Sequence, residues 1–222
     1  MHALSRRCGD TVARQASARL NWSLRPASSQ SRRCASVAAS GAASTSACDE
    51  PCNGYRPNVG VCIFNKAGYV FAAQRCDDDT PGSWQMPQGG IDEGEEPHEA
   101  ALREVTEETS IVSARIVGEI DGWLTYDFPT RVKESLTGGW QKFKGQKQRW
   151  YLAHFYGDDS EINLGTAHKE FRAWKWSKLE DLPGSVVEFK RDVYVEVAKG
   201  FVPMIKQLVE SGELTGNEER SH

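Results

Sequence analysis

Between Gly89 and Ile111 the chain carries the segment that most restricts what it can fold into. A double glycine, Gly89-Gly90, is followed by Glu95, Glu96 and Glu99 around Pro97. Proline suits a first helical turn, where its missing N–H is not needed, and acids suit the positive end of the helix dipole. The pattern predicts a helix from Pro97 to about Glu108 or Thr109, entered from a tight glycine turn that lets the backbone approach a ligand closely. With Ala100 at 0° on a wheel turning ~100° per residue, Glu104, Glu107 and Glu108 fall near ~40°, ~−20° and ~80°. Three carboxylates therefore share an arc of roughly 100°. Leu102, Val105 and Thr109 gather near ~140–200° and are expected to form the buried stripe.

An acidic helix face is most simply a solvated one. Against that, Glu104 and Glu108 are a like-charged i,i+4 pair, which costs a few tenths of a kcal/mol, and Glu107 adds a third charge. Arg103 alone offers local relief. A hard divalent cation needs several carboxylate oxygens converging from one rigid element, and this helix face can supply them. From the helix alone, metal site and solvated face both stay open.

The rest of the chain divides sharply by charge. Residues 1–48 hold seven arginines, no lysine and one acid, Asp10, for a net +6, so the remaining 174 residues carry −10. An Arg- and Ser-rich, acid-poor leader is the composition of an organelle transit peptide, and the Ser/Ala-rich stretch 35–47 favours chloroplast, with mitochondrion as the alternative. No span reaches the ~20 apolar residues of a membrane helix, so no membrane partner is expected. Four of six cysteines lie in or beside the leader, which leaves Cys62 and Cys76 in the body and indicates no disulfide framework.

The folded domain is expected from 54 to 210, with 211–222 as a tail. Val59–Phe64 and Tyr69–Ala73 read as strands joined by the turn Asn65–Gly68. A polar loop, Arg75–Ser83, and an extended piece, Trp84–Gly90, lead into the helix. Further strands are expected at Val112–Ile120, Gln148–Phe155 and Phe171–Trp176, and a last helix from Arg191 to Glu210, kinked at Pro203. Strands with helices on both sides of them in sequence imply an α/β or α+β sandwich.

The spacing Gly89-x5-Glu95-x7-Arg103-Glu104-Val105-x-Glu107-Glu108-x-x-Ile111 resembles the loop-helix-loop box of the Nudix hydrolases. One departure is Ser110, where the box carries a glycine, which leaves the helix exit open. Outside the box, Tyr55–Gly60, Trp84–Gly90, Gly145–Leu152 and Phe189–Tyr194 resemble the branch holding bacterial RNA pyrophosphohydrolases and plant-type diadenosine tetraphosphate hydrolases. Trp123–Pro129 and Glu161–Leu164 are similar to the plant-type enzymes in particular. The resemblance spans about 54–208.

This resemblance implies an α/β fold, an α-β-α sandwich with a mixed sheet. It implies Mg2+, with Mn2+ as a possible substitute, held by Glu104, Glu107, Glu108, Gly89 and the later Glu170. Glu107 or a nearby carboxylate would activate the attacking water, and Arg103 would orient a box glutamate by a charge-assisted bond. Arg56, Arg75, Lys147, Arg149 and Lys190 align with basic positions near a polyphosphate pocket, while Tyr126 and Phe189 are the rings expected to stack on a base. Trp84, Trp150, Trp174 and Trp176 are assigned to the core.

The leading expectation is asymmetric cleavage of diadenosine tetraphosphate to ATP and AMP. The alternatives are removal of pyrophosphate from RNA 5′ ends and hydrolysis of guanosine alarmones. A non-catalytic nucleotide-binding domain is the reading from another class, and the intact box acids weigh against it. Tyr126 has its own competing assignment, as a core ring.

Overall fold

The computed structural model of the chain describes residues 54–76, 82–166, 169–212 and 214. The leader 1–48 and most of the 211–222 tail lie outside the described residues. Seven strands form one mixed sheet: β1 (Tyr55–Phe64), β2 (Val70–Arg75), β3 (Gln88–Gly90), β4 (Ala114–Glu119), β5 (Leu124–Asp127), β6 (Gly145–Phe155) and β7 (Phe171–Ser177). The order is β4-β6-β1-β2-β7, with β3 added to β1 and β5 to β6. The β1–β6 pair is parallel, from Tyr55↔Gly145 to Phe64↔His154, and the other pairs are antiparallel. Helices α1 (Pro97–Thr109), α2 (Thr130–Ser135) and α3 (Arg191–Ser211) complete the fold.

The expected strands are present, and β1 and β6 each begin three or more residues earlier than the apolar runs suggest. Their added residues include Arg56, Asn58, Gln146 and Lys147, so an apolar run could not reveal them. At the β1–β2 turn, Asn65 Oδ1 accepts from the Ala67 and Tyr69 amides, and Gly68 takes φ +80°.

Alternation along β1 and β6 gives the sheet two apolar faces. Cys62, Phe64, Trp150 and Leu152 pack with Val193, Tyr194, Val197 and Phe201 of α3. Val59, Val61, Ile63, Tyr151 and Ala153 pack with Ala100, Ala101 and Val105 of α1. Trp150 is fully buried as expected, whereas Trp84, Trp174 and Trp176 are half-buried. Helix α3 continues past Pro203 to Ser211 and ends at Gly212 with φ +68°.

Helix α1 has the expected bounds and buries Val105 and Thr109 as expected, but its buried face is wider and extends over the acids. Pro97, Ala100, Ala101, Glu104, Val105, Glu108 and Thr109 are buried, an arc centred near Glu108 rather than opposite it. Leu102, assigned to the buried stripe, is 37% exposed. The acidic face turns inward because β3 lies beneath it and Gly89 leaves room there for the Glu104 carboxylate.

Ser110 adopts the left-handed conformation, φ +64°, that a glycine would reach without strain. This conformation costs a non-glycine residue about 1 kcal/mol. The Ser110 hydroxyl donates to the Asn163 carbonyl at 3.0 Å and the Asn163 amide donates to Thr109 O at 2.9 Å. The helix therefore exits as a glycine would direct it, strapped to the segment before β7.

Candidate active site

The double glycine explains itself once β3 is placed. It is extended strand rather than the tight turn expected from the sequence. Gly89 pairs with Val59 and faces α1, and Gly90 pairs with Asn58 and faces the other way. A Cβ on Gly89 would overlap the Glu104 carboxylate, and one on Gly90 would overlap the Arg56 guanidinium. Two side chains of opposite charge thus lie flush against one short strand, one on each face. Gly89→Ala is expected to displace the Glu104 carboxylate, and any reaction which that carboxylate serves should slow by up to about a hundredfold, as for a group misplaced by about 1 Å. The melting temperature should stay close to wild type, because the displaced group is the far end of a flexible side chain.

Arg103 organises the acids. Its guanidinium meets Glu95 twice, at 2.7 and 2.8 Å, and also bonds Glu104 Oε1 at 2.7 Å, Glu107 Oε2 at 3.3 Å and the Gly90 carbonyl at 2.8 Å. The fork matches a carboxylate in two-point fashion. The Arg103 hydrogen bond holds the Glu95 carboxyl below the usual range. Glu95, which the sequence offered only as a helix-start acid and a box position, is thereby the anchor of Arg103.

Glu108 is the most enclosed acid of the helix, 2% exposed. Its Oε2 accepts from the Gln88 amide at 3.2 Å, and its Oε1 is buried without a hydrogen-bond partner. Burial, then repulsion from Glu170 and Glu104, pushes its carboxyl well above the ordinary range. Glu170 lies just before β7, where Arg75 Nη1 bonds it at 3.2 Å and its carbonyl accepts from the Cys76 amide. So Glu104, Glu107, Glu108 and Glu170 come to one region with Arg103 and Arg75. Among the described residues no three acids form a ready-made coordination shell.

The five candidate cations do not converge. Arg56 sits beside Gly90 with its guanidinium 4.1 Å over the Trp140 ring, and burial lowers its pKa against the pull of Glu104. Arg75 joins the acids. Lys147 and Arg149 alternate with Gln146 and Gln148 on β6, which directs them to the α1 face: Lys147 lies over Trp123 at 4.6 Å and Arg149 pairs with Glu119 at 2.7 Å. Lys190 is on the other side of the sheet, buried, its Nζ donating to Gln85 at 3.3 Å and Gln88 at 3.1 Å. Five cations were expected near a polyphosphate pocket, one or two of them as plain surface charges, and strand alternation separates Lys147 and Arg149 from Lys190.

Tyr126 also differs from expectation. It is 6% exposed within the α3-side core, its ring 5.6 Å from Phe189 and 6.0 Å from Phe128, with its hydroxyl donating to Gln146 Oε1. A ring packed on both neighbours has no open face for a base. Phe189 is half-buried and keeps part of its surface accessible.

A buried polar network was not anticipated. Gln148 Nε2 donates to Asn58 at 2.6 Å and Gln88 at 2.9 Å, and Trp150 Nε1 donates to Gln148 at 3.2 Å. Through Gln88, whose amide reaches Glu108, the network joins Lys190 to the acid cluster. Glutamines at alternate positions, Gln146 and Gln148, on the face of β6 that continues as Trp150 and Leu152 were the signal for it.

The NUDIX domain family model matches residues 54–197. "Nudix hydrolase 26, chloroplastic" of Arabidopsis thaliana is 47% identical over 169 residues, 74% of this chain and 77% of that protein. "Nudix hydrolase 25" of the same plant is 50% identical over 153 residues, 67% of this chain and 86% of that protein. The "RNA pyrophosphohydrolase" of Cereibacter sphaeroides is 48% identical over 151 residues, 67% of this chain and 91% of that protein.

Proposed function

The chain belongs to the NUDIX domain family and is a hydrolase of nucleoside polyphosphates, and we propose that its carboxylate cluster holds magnesium for water attack on a phosphoanhydride. The observation that carries this reading is Glu108: a buried carboxylate crowded by Glu104 and Glu170 is a site short of positive charge. The donor set consists of hard carboxylate oxygens, which suits Mg2+ or Mn2+. Glu104, Glu107, Glu108 and Glu170 are the proposed ligands, with the Gly89 backbone beside them. Magnesium held there would neutralise phosphate oxygens and make a water easier to deprotonate.

The protein's own groups do the rest. Glu107, the least enclosed of the three helix acids, takes the proton of the attacking water. Arg103 holds Glu104 and Glu107 in place, and Arg56 and Arg75 contact the phosphates. Phe189 is proposed to meet the nucleobase and Lys190 to join Arg56 and Arg75 on the phosphate side, while Lys147 and Arg149 are left outside the polyphosphate site.

For the substrate, asymmetric cleavage of diadenosine tetraphosphate to ATP and AMP is proposed from the Trp123–Pro129 and Glu161–Leu164 stretches. A second reading, removal of pyrophosphate from RNA 5′ ends, is favoured by the name and 48% identity of the bacterial relative. Chloroplast import is proposed from the leader's composition and supported by the chloroplastic name of the Arabidopsis relative. No helix among the described residues is long and apolar enough to cross a membrane.

The deciding assay is turnover of dinucleoside polyphosphates, guanosine alarmones and triphosphorylated RNA, with products separated by chromatography. Diadenosine tetraphosphate should yield ATP and AMP, and chelation of divalent ions should abolish the reaction. Two ADP molecules as product would refute asymmetric attack. Binding without product, in magnesium, would return the chain to the non-catalytic reading.

A further inference from the structure

We infer that the basic and aromatic surface at the start of β6 is a track for single-stranded RNA leading to the carboxylate cluster. This rests on the RNA 5′-end reading above and adds a contact surface beyond the terminal nucleotide. Residues 131–149 hold six cations (Arg131, Lys133, Lys142, Lys144, Lys147 and Arg149) and one acid, Glu134, while residues 49–222 carry net −10; of the six, Lys147 is buried and Arg149 is paired with Glu119. Positive charge is thus concentrated in one short stretch against the charge of the whole.

The geometry adds rings to the charge. Lys142 Nζ lies 4.9 Å over Phe143, Lys144 Nζ 4.2 Å over Tyr55, Lys147 Nζ 4.6 Å over Trp123, and the Arg56 guanidinium 4.1 Å over Trp140. Lys142 and Lys144 are exposed, Lys147 is buried in the strand, and the four rings are half-buried. Backbone bonds hold this surface to the sheet: the Lys144 amide donates to Gly54 O at 2.7 Å, and the Phe128 amide donates to Lys144 O at 2.9 Å. Tyr55 is further fixed by its hydroxyl bond to Asp127 at 2.8 Å.

Arg56 is the junction. It touches Gly90 beside the acid cluster on one side and Trp140 on the other, so the surface begins where the site ends. Phosphates meeting cations while bases lie on rings is the recognition mode of single-stranded nucleic acid. A dinucleoside tetraphosphate carries no phosphates beyond its bridge with which to occupy Lys142 and Lys144. An RNA strand following a 5′ polyphosphate does.

The test compares kcat/KM, in the full chain, for a 5′-triphosphorylated dinucleotide and an unstructured RNA of about 20 nucleotides across a salt series. The Lys142→Gln/Lys144→Gln variant should lose about tenfold on the long RNA at low salt, and its log–log salt slope should be shallower by about 1.4, at ~0.7 per single-strand phosphate contact. The dinucleotide should be cut as by wild type, and Lys142→Arg/Lys144→Arg should behave as wild type on both. The charged leader is common to all forms and cancels. Equal loss on both substrates, or no loss on either, overturns the track.

If wild type cuts diadenosine tetraphosphate and neither RNA, the RNA reading of the site fails. Fluorescence anisotropy with a 5′-hydroxyl RNA of the same length then judges the surface separately. Weaker binding by the glutamine variant supports the track, and unchanged binding overturns it. RNA binding unchanged with binding to phosphatidylserine vesicles lost would reassign the patch to a membrane surface and likewise overturn it.

Discussion

Glu107→Gln is expected to lower kcat by on the order of a hundredfold or more, as for loss of a metal ligand or general base. The fold should survive. Glu107 is partly exposed and accepts from Arg103 at 3.3 Å, and a glutamine oxygen accepts the same bond. The substitution therefore removes charge and basicity with little change of shape. Thermal melting should match wild type while kcat and kcat/KM fall together, the pattern of a group needed in the transition state. A variant with near-normal turnover would remove Glu107 from the chemistry and leave Glu104 or Glu108 as the base.

Tyr126→Ala is expected to cost about 3–5 kcal/mol of stability, the range for emptying a buried aromatic site. That is a large part of the roughly 5–15 kcal/mol that holds a domain together. The ring packs on Phe128 and Phe189, its hydroxyl bonds Gln146, and Lys190 Nζ lies 5.6 Å from its centroid. Denaturant titration should show the loss directly, and KM in the folded fraction should stay near wild type. A KM raised tenfold or more with unchanged stability would mean that the ring turns out of the core to meet substrate, as its polar neighbours Thr125 and Asp127 would suggest from sequence.

Those neighbours show how a local pattern misleads. Tyr126 alternates with polar residues because β5 is an edge strand, with one face on the core and the other toward solvent. Its pairing Tyr126↔Gln146 sets which face is which. In sequence, a polar-flanked tyrosine on such a strand looks like a surface ring. Short elements without periodicity were equally hard to read: α2 and the 3-10 helices Gly138–Lys142 and Leu179–Gly184 span five or six residues each, too few for a 3.6-residue period to repeat.

The glycines were legible as a requirement but not as a mechanism. Their presence demanded close approach by something, and the two partners, Glu104 and Arg56, became visible only when β3 was laid against β1 and α1. Likewise the glutamates were legible as three acids on one arc. That this arc faces inward, with Glu108 nearly sealed and Leu102 left outside, depends on the strand below it.

The sequence by itself determined the family, the extent of α1, the main strands and the identity of the acids, because these follow from residue type and spacing within one continuous segment. The tertiary structure alone decided which groups meet. Asn58 bonds Gln148 across a separation of 90 residues, and the parallel pairing of β1 with β6 that brings them together places Lys147 and Arg149 on one face and Gln146 and Gln148 on the other. Periodicity defines the faces of a strand or helix, but the partner that covers each face is chosen by long-range packing. That is why five candidate cations that read as one set along the chain are divided in space by the sheet.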